Sequence, residues 1–190
     1  MGKILRFEST TSRPADATAY AGGDEIANSA TAGSVVRMSF DLSGTSRGRI
    51  IRACMDITPA SGSLVIVALN LNAIIFKTAN SPAAVGDNVA INITGAQRRL
   101  SIGHFLFDDG AWVAPNGGFT AGASGWQETP ATLSLPIATP QIAVQHVPGY
   151  IFEWRQGETK QLDVVLQALA GWNPTAVVNT IGMCIDVEVE

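Results

Sequence analysis

Ile181-Gly182-Met183-Cys184-Ile185-Asp186-Val187-Glu188-Val189-Glu190 is the stretch whose reading decides the fold. Ile181, Met183, Ile185, Val187 and Val189 occupy one parity, while Asp186, Glu188 and Glu190 occupy the other. A period of two sends alternate side chains to opposite faces of an extended chain, so the stretch predicts a strand with one face in a core. The same rhythm recurs upstream. Val36, Met38, Phe40 and Leu42 alternate with Arg37, Ser39 and Asp41, and Ile51, Ala53, Met55 and Ile57 alternate with Arg52, Cys54 and Asp56. Val89, Ile91 and Ile93 alternate with Ala90 and Asn92.

Turn signals separate these runs: Ser43-Gly44-Thr45-Ser46-Arg47-Gly48 and Pro59-Ala60-Ser61-Gly62. Residues 64–71 form a continuous apolar run, as expected of a strand buried on both faces. Residues 97–107, 133–137, 142–147 and 150–155 are further strand candidates. Residues 161–170 alternate through Leu162, Val164, Leu166 and Ala168, yet they also place Leu162, Val165, Leu166 and Leu169 on one helical face. Their position after the Gln156-Gly157 turn signal, amid other strands, favours a strand. Many short strands with Gly and Pro punctuation predict an all-β fold, a β-sandwich with jelly-roll or Greek-key wiring.

Composition bears on partners. Charged residues make up 15% of the 190, against roughly 25% in an average globular protein, and the lysines are Lys3, Lys77 and Lys160. Interface cores are depleted in charge, so this deficit fits a surface covered by partners; a neutral Ser/Thr/Asn/Gln surface is the alternative. A net charge of −4 argues against sequence-independent nucleic-acid binding, which needs clustered Lys and Arg. No apolar run reaches membrane-spanning length. Cys54 and Cys184 stand far apart with apolar neighbours, and without a framework of spacings they are expected to be reduced and buried.

Catalytic patterns are weak. His104 and His146 have no adjacent nucleophile motif, and no G-x-S-x-G elbow is present. Asp108-Asp109-Gly110 is explained as a turn ending a strand rather than as an acid pair or a calcium loop. No cysteine/histidine cluster has zinc spacing, and no phosphate-binding loop is found. The chain is therefore expected to be non-enzymatic and without a cofactor.

Two segments suggest contact surfaces. Residues 108–130 are rich in glycine yet carry Trp112, Phe119 and Trp126, which could anchor a subunit interface or form a stacking platform for sugars. Residues 1–14 read as an N-terminal arm, with residues 15–190 as a single β-sandwich domain. The arm's Ile4, Leu5 and Phe7 would anchor it as an added strand on a neighbour's sheet. A frayed terminus and an integral strand are its alternatives.

Arg13-Pro14-Ala15-Asp16-Ala17-Thr18-Ala19-Tyr20-Ala21-Gly22-Gly23-Asp24-Glu25-Ile26-Ala27-Asn28-Ser29 resembles the N-terminal segment of β-rich virion proteins of tailed bacteriophages, where a Thr-x-Tyr-x-x-Gly-Asp-x-(Ile/Val) pattern leads into the first strand. The resemblance implies that Tyr20 packs, Gly22-Gly23 turn, and Asp24 closes the turn before Ile26 joins the sheet. It further implies a virion structural role, capsid decoration (cement) first and a tail or fibre component second. The partners so implied are the major capsid protein or other virion proteins, and further copies of the chain, a trimer before a dimer. The chain would be made in the host cytoplasm and reside in the virion.

Overall fold

The computed structural model describes residues 2–15, 17–59, 64–65, 70–107, 112–113, 134–135, 141–171 and 179–189. Its strands are β1 (Lys3–Arg13), β2 (Asp24–Glu25), β3 (Ser39–Asp41), β4 (Arg47–Pro59), β5 (Leu64–Val65), β6 (Leu71–Lys77), β7 (Val89–Ala90), β8 (Ser101–Phe107), β9 (Trp112–Val113), β10 (Ser134–Leu135), β11 (Gln141–Glu153), β12 (Gln161–Ala168) and β13 (Asn179–Val189). One five-stranded sheet runs β1-β13-β4-β11-β9. The other runs β7-β2-β12-β6-β8, with β3 also on β12, and β10 pairs with β5. The recorded pairings are antiparallel.

Taking β2 and β3 together as one interrupted strand, the long strands pair first with last, second with second-last, and so inward: β1 with β13, β2/β3 with β12, β4 with β11, β6 with β8. The β1/β13 and β4/β11 pairs share one sheet, and the other two pairs share the second. This is the wiring of a jelly roll, a four-pair ribbon folded over into a sandwich.

The inner faces form the main core. From β13 come Ile181, Met183, Ile185 and Val187, none more than 2% exposed, with Val189 packed against its rim. Ala53, Met55 and Ile57 of β4 stand beside them on the same face, but Ile50 takes the inward place expected for Ile51. The cause is a β-bulge. On β13 the partners of Arg52 and Ile50 are the consecutive Asp186 and Val187, so β13 passes over Ile51. On β11 they are His146 and Tyr150, four residues apart, so there the surplus lies on β11. An extra residue reverses the inside–outside phase on its far side.

The β6/β12 pair of the second sheet is covered twice. Leu71, Ala73 and Ile75 of β6, with Leu162, Val164 and Leu166 of β12, enter the main core. Ile74, Phe76 and Val165 turn outward into a smaller cluster with Ile91 and Ile93. Burial on both faces explains why residues 161–168 carry a mixed pattern, and why the strand reading is the correct one. It also shortens the strand expected around Val89: β7 has two residues, and Ile91 and Ile93 serve as a lid. The run 36–42 keeps its inward parity at Met38, Phe40 and Leu42, whereas Val36 is exposed and only Ser39–Asp41 forms a strand.

Three expectations are corrected. Residues 97–107 are not one strand. Thr94 caps a short helix, α1 (Gly95–Leu100), its hydroxyl accepting from the Gln97 N–H at 3.2 Å while the Gln97 side chain accepts from the Thr94 N–H at 2.9 Å. That reciprocal capping box starts a helix despite the strand-like flanks. The apolar run 64–71 divides between β5 and the start of β6, with residues 66–69 outside the described part. Lys3–Arg13, expected as an arm reaching for a neighbour, pairs residue for residue with β13 of its own chain. Leu5, Phe7, Thr11 and Arg13 supply the inward parity that such a strand requires.

The turn after β1 follows the packing that the resemblance of residues 13–29 implies. Tyr20 is buried, Gly23 sits at φ 103°, and the Asp24 carboxylate accepts from the Ala21 N–H at 2.6 Å. That φ is open to glycine and strained for other residues. Ile26 then donates to the Leu166 carbonyl at 2.9 Å. Arg13 Nε donates to the Tyr20 hydroxyl at 2.8 Å, which donates to Asp87 at 2.6 Å. Asp87 also accepts from the Ala27 N–H at 2.8 Å, so one buried network ties the end of β1 to the second sheet. Burial and the neighbouring Asp87 push the Tyr20 hydroxyl well above its ordinary pKa, keeping it a donor.

Because Ile185 is fully enclosed between the sheets, Ile185→Asp should lower unfolding free energy by about 4 kcal/mol, measured by urea titration. A near-native midpoint would mean that β13 faces the other way.

Candidate interaction surface

The β6/β12 pair of the second sheet is buried on both faces, whereas the outer face of the five-stranded sheet carries charge. The register sets its rows. Arg6 of β1 lies beside Asp186 of β13, which lies beside Arg52 of β4. Arg6 Nε donates to one Asp186 oxygen at 2.9 Å and Arg52 Nε to the other at 2.7 Å. One carboxylate thus holds two guanidinium groups, and Asp186 is the contact that raises the Arg6 pKa. The next row sets Glu8 beside Cys184 and Cys184 beside Cys54.

Cys54 and Cys184 form a disulfide with Cα atoms 5.0 Å apart, which corrects the expectation of reduced thiols. Each occupies the outward parity of its strand, and the register places them directly opposite, within disulfide reach. The following row contains Thr10, Gly182 and Asp56. A side chain at Gly182 would collide with the Asp56 carboxylate, so the glycine makes room for that group. Burial, then the negative charge of Glu8, raises the Asp56 pKa.

At the other end of this face the row is Ile4, Glu188, Arg49 and Ile151. Arg49 pairs with Glu188, Nε to carboxylate 3.0 Å, between two isoleucines that are 60% and 71% exposed. Gly2, Arg47, Gly48, Arg49, Ile151 and Glu188 line an open depression of about 350 Å³ there. Exposed aliphatic groups flanking a half-exposed ion pair can contact a protein surface through both apolar area and polar bonds.

The residues singled out in the sequence distribute unevenly. Ile4 stands on this outer face, whereas Leu5 and Phe7 turn inward and are half-buried, Phe7 against the core. Trp112 opens β9, its backbone opposite Ala143 at the far edge of the same sheet. Phe119 and Trp126 lie outside the described residues, as do Asp108 and Asp109. His104 is exposed on β8, and its carbonyl accepts from the Tyr150 hydroxyl at 2.7 Å. The Tyr150 ring rests on Gly103, where any side chain would clash, and this contact joins the two sheets along β8 and β11. Among the described residues, no three His, Cys, Asp or Glu side chains gather as a metal would require. Arg49, Glu188 and Ile151 escaped the sequence reading as a group, because only strand register brings them into one row.

The disulfide closes a separation of 130 residues, which in the chain-entropy account stabilises by about 5 kcal/mol. The Cys54→Ser/Cys184→Ser variant should melt at a clearly lower temperature, and reductant should lower the wild-type Tm but not the variant's. An unchanged Tm would place the two sulfurs apart. Asp56 behaves oppositely to an ion-paired acid. Its raised pKa means that its contribution is fully present below its ordinary value of 3.8 and is lost as pH rises through the folded-state value. Asp56→Asn should therefore raise Tm at neutral pH, with the gain disappearing in acid; an equal gain at both pH values would exclude this cause.

No protein-family model and no curated protein sequence matches the chain. Among solved structures, it is similar to the decameric capsid protein of BFDV, at 10% identity over all of both chains with a TM-score of 0.33. It is similar to a chain of the semi-empty virus-like particle of Macrobrachium rosenbergii nodavirus, at 12% identity over all of this chain and 95% of that one, TM-score 0.31. It is also similar to a chain of Desmodium yellow mottle tymovirus, at 12% identity over all of this chain and 89% of that one, TM-score 0.26.

Proposed function

We propose that this chain is a non-enzymatic structural protein of a virion, a capsid decoration (cement) protein that binds the major capsid protein and associates with further copies of itself. The observation that carries the reading is the nested strand pairing of the jelly roll, an architecture used by capsid and lectin domains. Two further features support it. Charge is scarce in the chain, and the outer face of one sheet gathers Arg6, Glu8, Arg49, Arg52, Asp186 and Glu188 in rows beside exposed Ile4 and Ile151. The Tyr20–Ile26 turn has the geometry that its resemblance to phage virion proteins implies.

On this reading the protein works by contact: apolar and hydrogen-bonding surface buried across a junction between capsid subunits holds the shell against expansion. Because lectins share the architecture, a glycan-binding or receptor-binding tail module is the second reading. The test is to purify particles from the host that carries the gene and quantify this chain by mass spectrometry, then add recombinant protein to particles stripped of it. The expected result is many copies per particle, and restored resistance of the shell to heat once the protein is added back. Absence from particles would overturn the reading, and binding on a glycan array without particle attachment would favour the second.

A further inference from the structure

We propose that β1 is a pairing edge for a second copy of this chain, the two β1 strands running antiparallel with Phe7 on the two-fold axis. The inference is independent of any virion role.

β1 is an 11-residue strand at the border of its sheet, and β13 is the only strand it pairs with among the described residues. Long, regular edges offer rows of N–H and C=O groups to another chain, and proteins blunt them with proline, bulges, brevity or charge. β1 has no proline or bulge and is not short, and its outward charges Arg6 and Glu8 are of opposite sign, so they can pair with a second copy instead of repelling it. Its register with β13 is unbroken from Lys3 to Arg13, and no proline lies within it. The other borders differ: β9 and β7 have two residues each, and β8 is clasped to β11 by Tyr150. β3 touches β1 only from inside the sandwich, the Ser39 N–H donating to the Ser9 hydroxyl at 3.1 Å, a contact that uses Ser9's side chain rather than its backbone.

The register of self-pairing follows from parity and charge. Two β1 strands must oppose odd with odd and even with even to keep both faces continuous. Centring on Arg6 opposes Arg6 with Arg6, and centring on Glu8 opposes Glu8 with Glu8; directly opposed like charges are unfavourable. Centring on Phe7, between them, opposes Arg6 with Glu8 of the second copy, twice. It also sets the half-buried Phe7 rings side by side and Leu5 against Ser9 on the inner face. The outer row then alternates in sign across the junction, Arg52, Asp186, Arg6, then Glu8 of the second copy, continuing a pattern already built within one chain. The product is a continuous sheet across a closed, self-complementary dimer.

The experiment uses the full chain and charge reversal. Wild-type protein should sediment as a concentration-dependent dimer, and amide exchange along β1 should slow as concentration rises. Glu8→Arg alone should oppose arginines, and Arg6→Glu alone should oppose glutamates, each weakening dimerisation by about tenfold. Mixing the two variants restores two opposite-charge pairs, so a heterodimer should form from proteins that separately dissociate. Melting curves and circular dichroism confirm that each variant is folded; if Arg6→Glu unfolds through loss of its Asp186 partner, Glu8→Arg with the exchange measurement decides. A wild-type monomer at every concentration, or a dimer indifferent to Glu8→Arg, would overturn the proposal.

Discussion

β13 is held on both sides along its whole length, by β1 on one edge and by β4 on the other. That double pairing joins the two sequence-distant ends of the described chain to its middle, and the rest of the sandwich depends on it. With β13 in place, alternate residues are assigned to core or surface on three strands at once. A slip of one residue would turn Ile181, Met183, Ile185 and Val187 to water and bring Asp186 and Glu188 inward. The cost of burying those carboxylates without partners is what makes the register unique. The disulfide then crosses β4 and β13 at positions the register has already brought together.

The two sheets divide the chain's polar and apolar inventory differently. The β6/β12 pair is buried on both faces, because residues 85–93 fold back over Ile74, Phe76 and Val165. Its strands consequently carry apolar side chains at both parities. The β1/β13/β4 face opposite the core has no such lid among the described residues, and its strands alternate apolar with charged. A charge-poor chain therefore displays an ordered set of charges on this face. The rows on it are ordered: one carboxylate between two guanidinium groups, then an ion pair between two isoleucines. Interfaces draw specificity from such patterned charge more than from its amount.

Much of the candidate surface was invisible in sequence for a physical reason. Arg49, Glu188 and Ile151 are separated by long stretches of chain, and nothing local to any of them announces the others. Cys54 and Cys184 show the same limit. Each stands at the polar parity of its strand, alongside Arg52 or Asp186, and Cys184 is buried there as expected, but as half of a bridge and not as a thiol. Only knowledge that β4 pairs with β13 turns two isolated cysteines into a bridge. The arm expected at residues 1–14 failed similarly, since an amphipathic strand looks alike whether its partner is its own C-terminal strand or a neighbour's.

The sequence by itself determined strand identity wherever one face is wet: the alternation at 181–189 and 53–57, and the inward parity of Met38, Phe40 and Leu42. These are local consequences of period two. The tertiary structure alone decided three other matters. Pairing order and register placed the disulfide and the charged rows, because they join residues far apart in the chain. The bulge at Ile51 exchanged its place with Ile50, because β13 steps directly from the partner of Arg52 to the partner of Ile50. The capping box at Thr94 and Gln97 made a short helix inside an apparent strand run, because two backbone N–H groups satisfied by side chains outweigh the weak preference of four residues.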